Sequence, residues 1–214
     1  MYRPAPFSEH DPDRLTALIR ARPLASLVIA GPDGLVAAHV PMMGAPAADG
    51  RITALICHLA RANPFWSAVR PEAEALAVFT GPDAYVSPSM YRSKAEHGKV
   101  VPTWNYARIE ARGRLTVQTD PAALRPYVEQ LTAVMERDRA EPWSLDDAPA
   151  DYVQRLQAGI VGLRMEVSAI GGAFKLSQNR SLEDHAGVRD ALAASANLSD
   201  RAVSEMMTPN ARLD

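Results

Sequence analysis

The segment LASLVIAGPDGLVAAHVPMM, residues 24–43, decides the fold class of this chain. Two apolar runs, LASLVIA and LVAAHVPMM, flank the tetrapeptide Gly31-Pro-Asp-Gly34. Glycine, proline and aspartate favour turns, and a short turn between two such runs is typical of a β-hairpin. The segment therefore predicts two antiparallel strands joined by a tight turn.

More strands are predicted after this hairpin. The longest is PTWNYARIEARGRLTVQT, residues 102–119, in whose second half apolar or small residues alternate with polar ones, as in a half-buried strand. The others are RITALICHLA (51–60), ALAVFTG (75–81) and GIVGLRMEVSAI (159–170), while GAPAADG (44–50) is a predicted turn and YRSKAEHGKV (91–100) a predicted mobile surface loop. Short strands in succession favour an antiparallel meander.

Helices are predicted around these strands. Asp11 and Pro12 suit the start of a helix over residues 12–21, and Asn63 with Pro64 suits the start of a short one. Residues 121–137 carry apolar side chains at helical spacing, which predicts a helix whose apolar stripe packs in the core or at a subunit contact. Further helices are predicted at 150–157, 182–194 and 199–207. The fold class is therefore α+β, built on an antiparallel β-barrel with flanking helices.

Composition and charge argue against several classes of protein. Lysine and arginine number 23 against 25 aspartates and glutamates, so the net charge of -2 gives no broad basic surface for non-specific nucleic-acid binding. The single cysteine, Cys57, has apolar neighbours and is expected to be buried rather than nucleophilic. There is neither a secretory signal nor an apolar run of about eighteen residues. We therefore expect a cytoplasmic protein that does not span a membrane.

The segment FKLSQNRSLED, residues 174–184, is a candidate anion site. Lys175 and Arg180 supply positive charge, and Ser177 and Gln178 supply neutral hydrogen-bond donors. A phosphate needs several convergent donors to replace its hydration shell, and this set provides them.

The same segment also has an ordinary structural interpretation. Ser181, with Asp184 three residues later, predicts a capping box at a helix start, where backbone N–H groups favour anions. Lys175 and Arg180 could equally be solvated or paired with Glu183 and Asp184. On local spacing alone, this second interpretation is the commoner one.

A second candidate cluster follows a predicted strand, in ICHLARANP (56–64). His58, Arg61 and Asn63 lie there between the end of the strand and a helix start, which is another place where anions bind. Arg61 fits an exposed surface residue as well, and capping alone explains Asn63. His39, before Pro41, fits a hydrogen-bonded structural residue better than a ligand-binding one.

A third candidate is the segment VPTWNYARIEARG (101–113), where Trp104 and Tyr106 flank Asn105. Aromatic rings beside an amide suit a flat heteroaromatic ligand, because stacking supplies area and the amide fixes orientation. The rings suit a barrel core or a dimer contact equally well. Further candidates for the same cavity are Tyr85, Ser87 and Tyr91, in PDAYVSPSMY (82–91), although the prolines of that segment favour a loop.

Several common motifs are absent. The sequence has no G-x-G-x-x-G, G-x-x-x-x-G-K-[ST], H-E-x-x-H, paired C-x-x-C or G-x-S-x-G pattern, so dinucleotide-binding, P-loop, zinc and hydrolase hypotheses lack their usual residues. His97 and His185 have no partner at metal-ligand spacing. No metal site and no catalytic residue are predicted.

Three stretches taken together, HLARANPFW, VPTWNYARIEARG and GAFKLSQNR, resemble the PaiB family, described as FMN-binding negative transcriptional regulators. MYRPAPF at the start and PDAYVSPSMY between them add to the resemblance, which runs from the first residue to about Arg180. It implies a split β-barrel related to the pyridoxamine-phosphate oxidase and flavin reductase group, in which two subunits pair and FMN lies at their interface. A barrel domain over 1–180 and a helical extension over 181–214, packed on the same unit, follow from this comparison.

The resemblance also implies roles for the candidate residues. The FMN phosphate or ribityl chain would be held by residues of the first and second clusters, and the isoalloxazine ring would lie near the third. His39 and His58 are weaker candidates. The residues expected to contact FMN are Arg61, Asn63, Trp104, Asn105, Tyr106, Lys175, Ser177, Gln178, Arg180, His39 and His58.

Three functional hypotheses follow. The first is an FMN-binding homodimer with a regulatory or sensing role, for which DNA is a conceivable partner, although the acidic composition argues mildly against direct DNA binding. The second is a flavin-dependent oxidoreductase or reductase that uses the same pocket, since a flavin carries the redox chemistry itself. The third is a dimeric interaction protein whose barrel cleft holds no ligand.

Overall fold

The computed structural model describes residues 2–46, 50–71 and 74–208 of the 214-residue chain. Its strands are β1 (Ser8–Glu9), β2 (Leu24–Gly31), β3 (Gly34–Pro41), β4 (Met43–Pro46), β5 (Ile52–Ala60), β6 (Glu74–Val86), β7 (Thr103–Gln118) and β8 (Ile160–Lys175). Its α-helices are α1 (Pro12–Ala21), α2 (Lys94–His97), α3 (Pro121–Glu136), α4 (Ala150–Ala158), α5 (Leu182–Ala193) and α6 (Leu198–Met206).

The described strands form one sheet in the order β3-β2-β6-β7-β8-β5-β4, with β1 paired to β8. The pairs β1–β8, β2–β3, β2–β6, β4–β5 and β5–β8 are antiparallel. The predicted α+β class with an antiparallel barrel sheet and flanking helices is therefore confirmed.

The predicted hairpin is present in β2 and β3. Its register pairs Gly31 with Gly34 at the turn and Leu24 with Pro41 at the open end. Gly34 has a φ of 123°, which a residue with a side chain rarely adopts. Of the other predicted turn, residues 47–49 lie outside the described residues, and Met43–Pro46 form β4.

Two strands are longer than the sequence predicted. We expected the strand that contains Gly81 to end there, because Gly-Pro is a turn signal. In the structure β6 continues to Val86, with Ala84 and Val86 buried. Gly81 is a point of close packing instead, since a Cβ there would lie 2.9 Å from the carbonyl oxygen of Ala107. Similarly, β8 runs through the glycine pair at 171–172 to Lys175.

The predicted helices are present with small shifts at their ends, and the short helix after Asn63 is a 3₁₀ turn over Pro64–Ala68. The segment 91–100, which we expected to be a mobile loop, contains α2, and its first residue Tyr91 is buried. The polar composition of residues 91–100 gave no indication that the ring of Tyr91 would be buried.

The chain divides into two compact units. The central unit comprises residues 22–79 and 111–170, and the terminal unit comprises residues up to 21, 80–110 and from 171 onward. The strands β6, β7 and β8 each contribute one part to the central unit and one to the terminal unit. The predicted boundary at residue 180 stays a prediction.

In the central unit, α3 covers β4 and β5. Leu131 packs with Met43 and Ile56, and Tyr127 and Val134 border this cluster. Leu124 and Leu131 of the apolar stripe predicted for this helix are therefore core, whereas Met135 at its end is half exposed.

In the terminal unit, α5 and α6 pack together through the buried Val188, Leu192 and Val203. The hydroxyl of Ser204 donates to the carbonyl oxygen of Arg189 at 2.8 Å, which ties the two helices at one point. The same pair is anchored to β6, because the Ser199 hydroxyl donates to the Asp83 carbonyl oxygen at 2.7 Å.

Candidate functional site

Lys175 ends β8 in the terminal unit and lies against the start of β7. Its ammonium group donates to the Trp104 carbonyl oxygen at 2.8 Å and to the Thr103 hydroxyl. Burial, and secondarily the positive charge of Arg180, lower the pKa of Lys175 below its ordinary value. A lysine whose charged form is disfavoured in this way belongs to a site that a bound anion would stabilise.

The turn after Lys175 is closed by side chains. Gln178 accepts from the Leu176 backbone N–H at 2.7 Å and donates to the Phe174 carbonyl oxygen at 2.5 Å. The Arg180 N–H donates to the Ser177 carbonyl oxygen at 3.1 Å. Gln178 therefore shapes the turn that carries the cations.

Ser177 adopts a backbone conformation that costs free energy. Its φ is 64°, in the left-handed region that favours glycine, and its side chain is buried. Strained residues of this kind cluster at functional sites. The left-handed conformation of Ser177 sets the direction in which the chain leaves β8. It therefore also sets where Arg180 lies relative to Lys175.

Asn105 supports the strained turn from β7. Its side chain is fully buried, and its amide lies 3.0 and 3.1 Å from the Ser177 hydroxyl through Nδ2 and Oδ1 respectively. Nδ2 also lies 3.7 Å from the sulfur of Met207. These contacts make the pair a support for the turn, and its predicted direct contact with FMN stays a prediction.

The guanidinium of Arg180 lies against an aromatic ring, 4.8 Å from the centre of the Tyr91 ring. The nearby carboxylate of Asp184 accepts from the backbone N–H and hydroxyl of Ser93, at 2.9 and 2.7 Å. The bond from the Ser93 backbone, and after it the Ser93 hydroxyl and the positive charge of Arg180, lower the pKa of Asp184.

The capping box predicted here is therefore only half formed. Ser181 accepts from the Asp184 N–H at 3.2 Å, but Asp184 binds Ser93 instead of returning to Ser181. The hydrogen bonds of Asp184 therefore go to Ser93 and not to the Arg180 guanidinium, which interacts with this carboxylate through its charge alone.

Trp104 and Tyr85 form an exposed aromatic pair beside Lys175. Their ring centres lie 5.9 Å apart in an edge-to-face arrangement, with Trp104 53% and Tyr85 49% exposed. Trp104 is exposed because it alternates along β7 with the buried Asn105. Tyr106, the other aromatic residue predicted here, lies under the guanidinium of Arg108 at 4.5 Å.

Arg61 and Asn63 lie in the central unit, where both have structural partners. Arg61 donates to the carbonyl oxygens of Ala158 and Thr119 at 2.8 Å and of Ile160 at 3.0 Å. Asn63 caps the 3₁₀ turn by accepting from the Phe65 N–H at 2.9 Å. A role for them in holding the FMN phosphate stays a prediction.

The two candidate histidines also lie in the central unit. His39 on β3 is exposed, and its Nδ1 lies 3.1 Å from the Ser26 hydroxyl. The Nδ1 of His58 on β5 is buried and has no hydrogen-bond partner among the described residues, and burial lowers the pKa of this ring. Their contact with a ligand stays a prediction as well.

The structure thus brings Lys175, Gln178, Arg180 and Trp104 together in the terminal unit. Sequence analysis missed Thr103, which contacts Lys175, and did not predict that Tyr91 would stack on Arg180. Strand alternation puts Thr103 on the same face of β7 as Asn105, but no sequence pattern pairs it with Lys175. No pattern pairs Tyr91 with Arg180, which is 89 residues away.

Comparison with known proteins identifies the family. The model of the family described as "Putative FMN-binding domain" matches residues 1–169. The chain belongs to this family of FMN-binding domains. FMN, the cofactor expected from the sequence, is therefore the family's cofactor.

Relatives of this FMN-binding domain cover nearly its full length. It is 28% identical to protease synthase and sporulation protein PAI 2 of Bacillus subtilis strain 168, over 97% of this chain and 96% of the relative, which confirms the resemblance to the PaiB family. It is also 32% identical to the uncharacterized protein AN0679 of Emericella nidulans, over 88% of each chain.

Solved structures confirm the split-barrel fold. The FAD and heme binding protein from Mycobacterium smegmatis superposes with a TM-score of 0.58 at 20% identity, covering 84% of this chain and 78% of that chain. The flavocytochrome Anf3 from Azotobacter vinelandii gives 0.57 at 12% identity, covering 84% and 75%.

Neither a membrane-spanning helix nor a cluster of metal ligands is present among the described residues. No helix among them has the length and apolar character needed to cross a bilayer. Within residues 2–46, 50–71 and 74–208, no group of three or more histidine, cysteine, aspartate or glutamate side chains is arranged to hold a metal ion.

Proposed function

We propose that this protein binds FMN in its terminal unit, with Lys175 and Arg180 on the phosphate and the Trp104–Tyr85 pair beside the isoalloxazine ring. The observation that carries the proposal is the juxtaposition of the Lys175 ammonium with the Trp104 backbone at 2.8 Å. This contact brings a cation close to the residue that carries an exposed aromatic ring. FMN has a charged phosphate at one end and a flat ring system at the other, so its site requires both kinds of group.

The residues present fit the chemistry of FMN. A phosphate accepts charge-assisted hydrogen bonds from lysine and arginine, and Lys175 at present donates only to neutral oxygens among its described partners. An exposed indole offers area for a flat ring system. When bound, FMN supplies hydride and electron chemistry, and the residues named here bind and orient it.

The first test is the absorption spectrum of the purified protein, with identification of any released chromophore. Lys175→Ala and Arg180→Ala should each weaken FMN binding tenfold or more, because each removes a charge-assisted hydrogen bond worth roughly 1.5–3 kcal/mol. Arg155→Ala is the matched control, since Arg155 pairs with Asp151 on the surface of α4. Unchanged affinity in both site variants would remove this assignment.

Our proposal for the biological role is a homodimeric, cytoplasmic regulator or sensor that responds to flavin occupancy or redox state. Its support is the resemblance to the PaiB family and the relative named protease synthase and sporulation protein PAI 2. Light scattering after gel filtration tests the dimer: a monomer at micromolar concentration contradicts it. Retention on specific DNA at physiological salt tests direct regulation, and sequence-blind, salt-sensitive retention counts against it.

The second candidate is a flavin-dependent oxidoreductase that uses the same site. The half-exposed ring of Trp104 favours it, because an open face leaves room for a reductant or small substrate beside the flavin. Rapid oxidation of NADH or NADPH in the presence of FMN would support this activity. No turnover with either donor would leave the regulatory role as the better hypothesis.

A further inference from the structure

The terminal unit contains a cavity of about 850 Å³ beside α5 and α6. This volume is in the range of cavities that bind small organic molecules. Its lining residues all belong to the terminal unit, and all but one lie beyond residue 169, where the match to the FMN-binding family ends. They are Arg14, Leu176, Gln178, Arg180, Leu182, His185, Ala186, Arg189, Met206, Met207 and Thr208.

The polar part of this lining is positive. It contains three arginines and a histidine, and no carboxylate among its described residues. The acidic partners of two of these arginines lie outside the lining: Glu9 pairs with Arg14 at 2.5 Å and Asp190 pairs with Arg189 at 2.7 Å. These pairs orient the guanidinium groups and leave their other N–H donors for a ligand.

His185 lies in the same positively charged environment as the arginines. Burial, and then the positive charge of Arg189, lower the pKa of His185. At neutral pH the ring is therefore a neutral hydrogen-bonding group, and the positive charge of the wall comes from the arginines.

Part of the cavity lining is apolar. Leu176, Met206 and Met207 contribute to it, and each is no more than 5% exposed overall. Methionine side chains are flexible and polarizable, and they adapt to apolar ligands of varied shape. A lining that combines arginines with such apolar side chains suits an amphipathic anion.

We propose that this cavity binds a small organic anion that has an apolar body and a carboxylate or phosphate head. The arginines would bind the head, and the two methionines and Leu176 would contact the body. Gln178 and Arg180 also belong to the proposed FMN site, whereas His185 and Arg189 do not. The proposal therefore predicts a second binding event that can be separated from flavin binding.

Titration calorimetry on the full chain, with and without FMN, tests whether the cavity binds such an anion. Three probes of similar shape are compared. The probes are 2-naphthoate, 2-naphthyl phosphate and the neutral 2-naphthamide. We expect at least one anion to bind with a stoichiometry near one, and roughly tenfold or more tightly than the amide, because only the anions form charge-assisted hydrogen bonds. Equal binding of the amide, or binding of no probe, would overturn the proposal.

Variants separate this cavity from the flavin site. Arg189→Gln should weaken anion binding about tenfold and leave FMN affinity unchanged, while Lys175→Ala should do the reverse. Arg155→Gln, which breaks a comparable surface pair on α4, controls for loss of net charge. Arg14→Gln offers a second variant if Arg189→Gln fails to fold, and the same loss of anion affinity is expected of it, because Arg14 is another arginine of the lining.

FMN itself is the remaining alternative occupant. If FMN displaces the preferred anion at a stoichiometry of one, and Arg189→Gln weakens both ligands equally, the cavity is the flavin site and the second-site proposal is wrong. If Lys175→Ala abolishes FMN binding while the anion still binds, the cavity proposal stands whatever becomes of the FMN assignment.

Discussion

Ser177 and Asn105 show how one hydrogen-bonded pair sets the geometry of a site. A buried residue with a φ of 64° is stable only if its surroundings compensate for the strain. The two contacts between the Asn105 amide and the Ser177 hydroxyl provide that compensation. The charged residues on either side of the turn are thus positioned by neutral residues that do not reach the surface.

A comparison of two variants tests this account. Ser177→Ala should lower the free energy of unfolding by about 1–3 kcal/mol, because the Asn105 amide loses its buried partner while the strain remains. Ser177→Gly loses the same bonds, but glycine adopts the left-handed conformation without the steric cost of about 1 kcal/mol. We therefore expect the glycine variant to be more stable than the alanine variant in urea unfolding. The opposite order would show that Ser177 is not strained.

Cys57 is a residue whose burial was predicted from its neighbours alone, and the structure confirms it. Burial raises the pKa of the Cys57 thiol to about 12, so almost no thiolate is present near neutral pH. A thiol reagent should therefore modify the native protein only at the rate of its opening, and should modify it at once in urea. Rapid stoichiometric labelling of the native protein would contradict this burial.

At the scale of elements, Arg61 joins the ends of three segments. Its side chain binds carbonyl oxygens at the end of α4, at the start of β8 and at Thr119, which follows β7. Its own carbonyl oxygen accepts from the Trp66 indole at 2.8 Å. The residue that the sequence offered as an anion ligand thus has structural partners at Nε and Nη2.

Replacement of Arg61 separates these two roles. Arg61→Lys should lower the free energy of unfolding by about 1–3 kcal/mol, because an ammonium on a flexible stem does not reproduce the planar array of donors. The FMN affinity of the folded fraction should stay within about twofold, whereas Arg155→Lys should change neither quantity. A large loss of FMN affinity with full stability would assign Arg61 to the phosphate instead.

Sequence patterns correctly predicted the helices and strands that are marked by a capping residue, a proline or a regular alternation. Pro12 and Asn63 mark helix starts that the structure confirms, and the alternation around Ile109 marks β7. They failed at Gly81, because a glycine needed for close packing and a glycine needed for a turn look the same in one sequence. The contact of Lys175 with Thr103 could not be predicted, since it depends on the pairing of distant strands.

At the scale of the whole molecule, two half-buried histidines make stability depend on pH. Burial lowers the pKa of both His58 and His185 in the folded protein. The unfolded chain therefore binds protons at a higher pH than the folded chain does. Linkage then requires the free energy of unfolding to fall as the pH drops below about 6.5, where free histidine protonates. Asp184, whose pKa is lowered, adds a further loss only at more acidic pH.

This pH dependence can be assigned by substitution. His58→Gln should flatten the decrease in stability between about pH 6.5 and pH 5, by at most about 1.4 kcal/mol per pH unit for one group. His97→Gln, at an exposed residue of α2, is the matched control. Urea unfolding at several pH values measures the effect. An identical pH profile for wild type and His58→Gln would exclude His58 as the source.

The three long strands β6, β7 and β8 have a consequence for how this protein can be dissected. Because each passes from one compact unit to the other, no single break in the polypeptide separates the two units. A truncated gene that still encodes the whole central unit would therefore also encode part of the terminal unit. Exchange of the terminal unit between proteins by recombination would require several simultaneous crossovers. The two units are therefore expected to be inherited together.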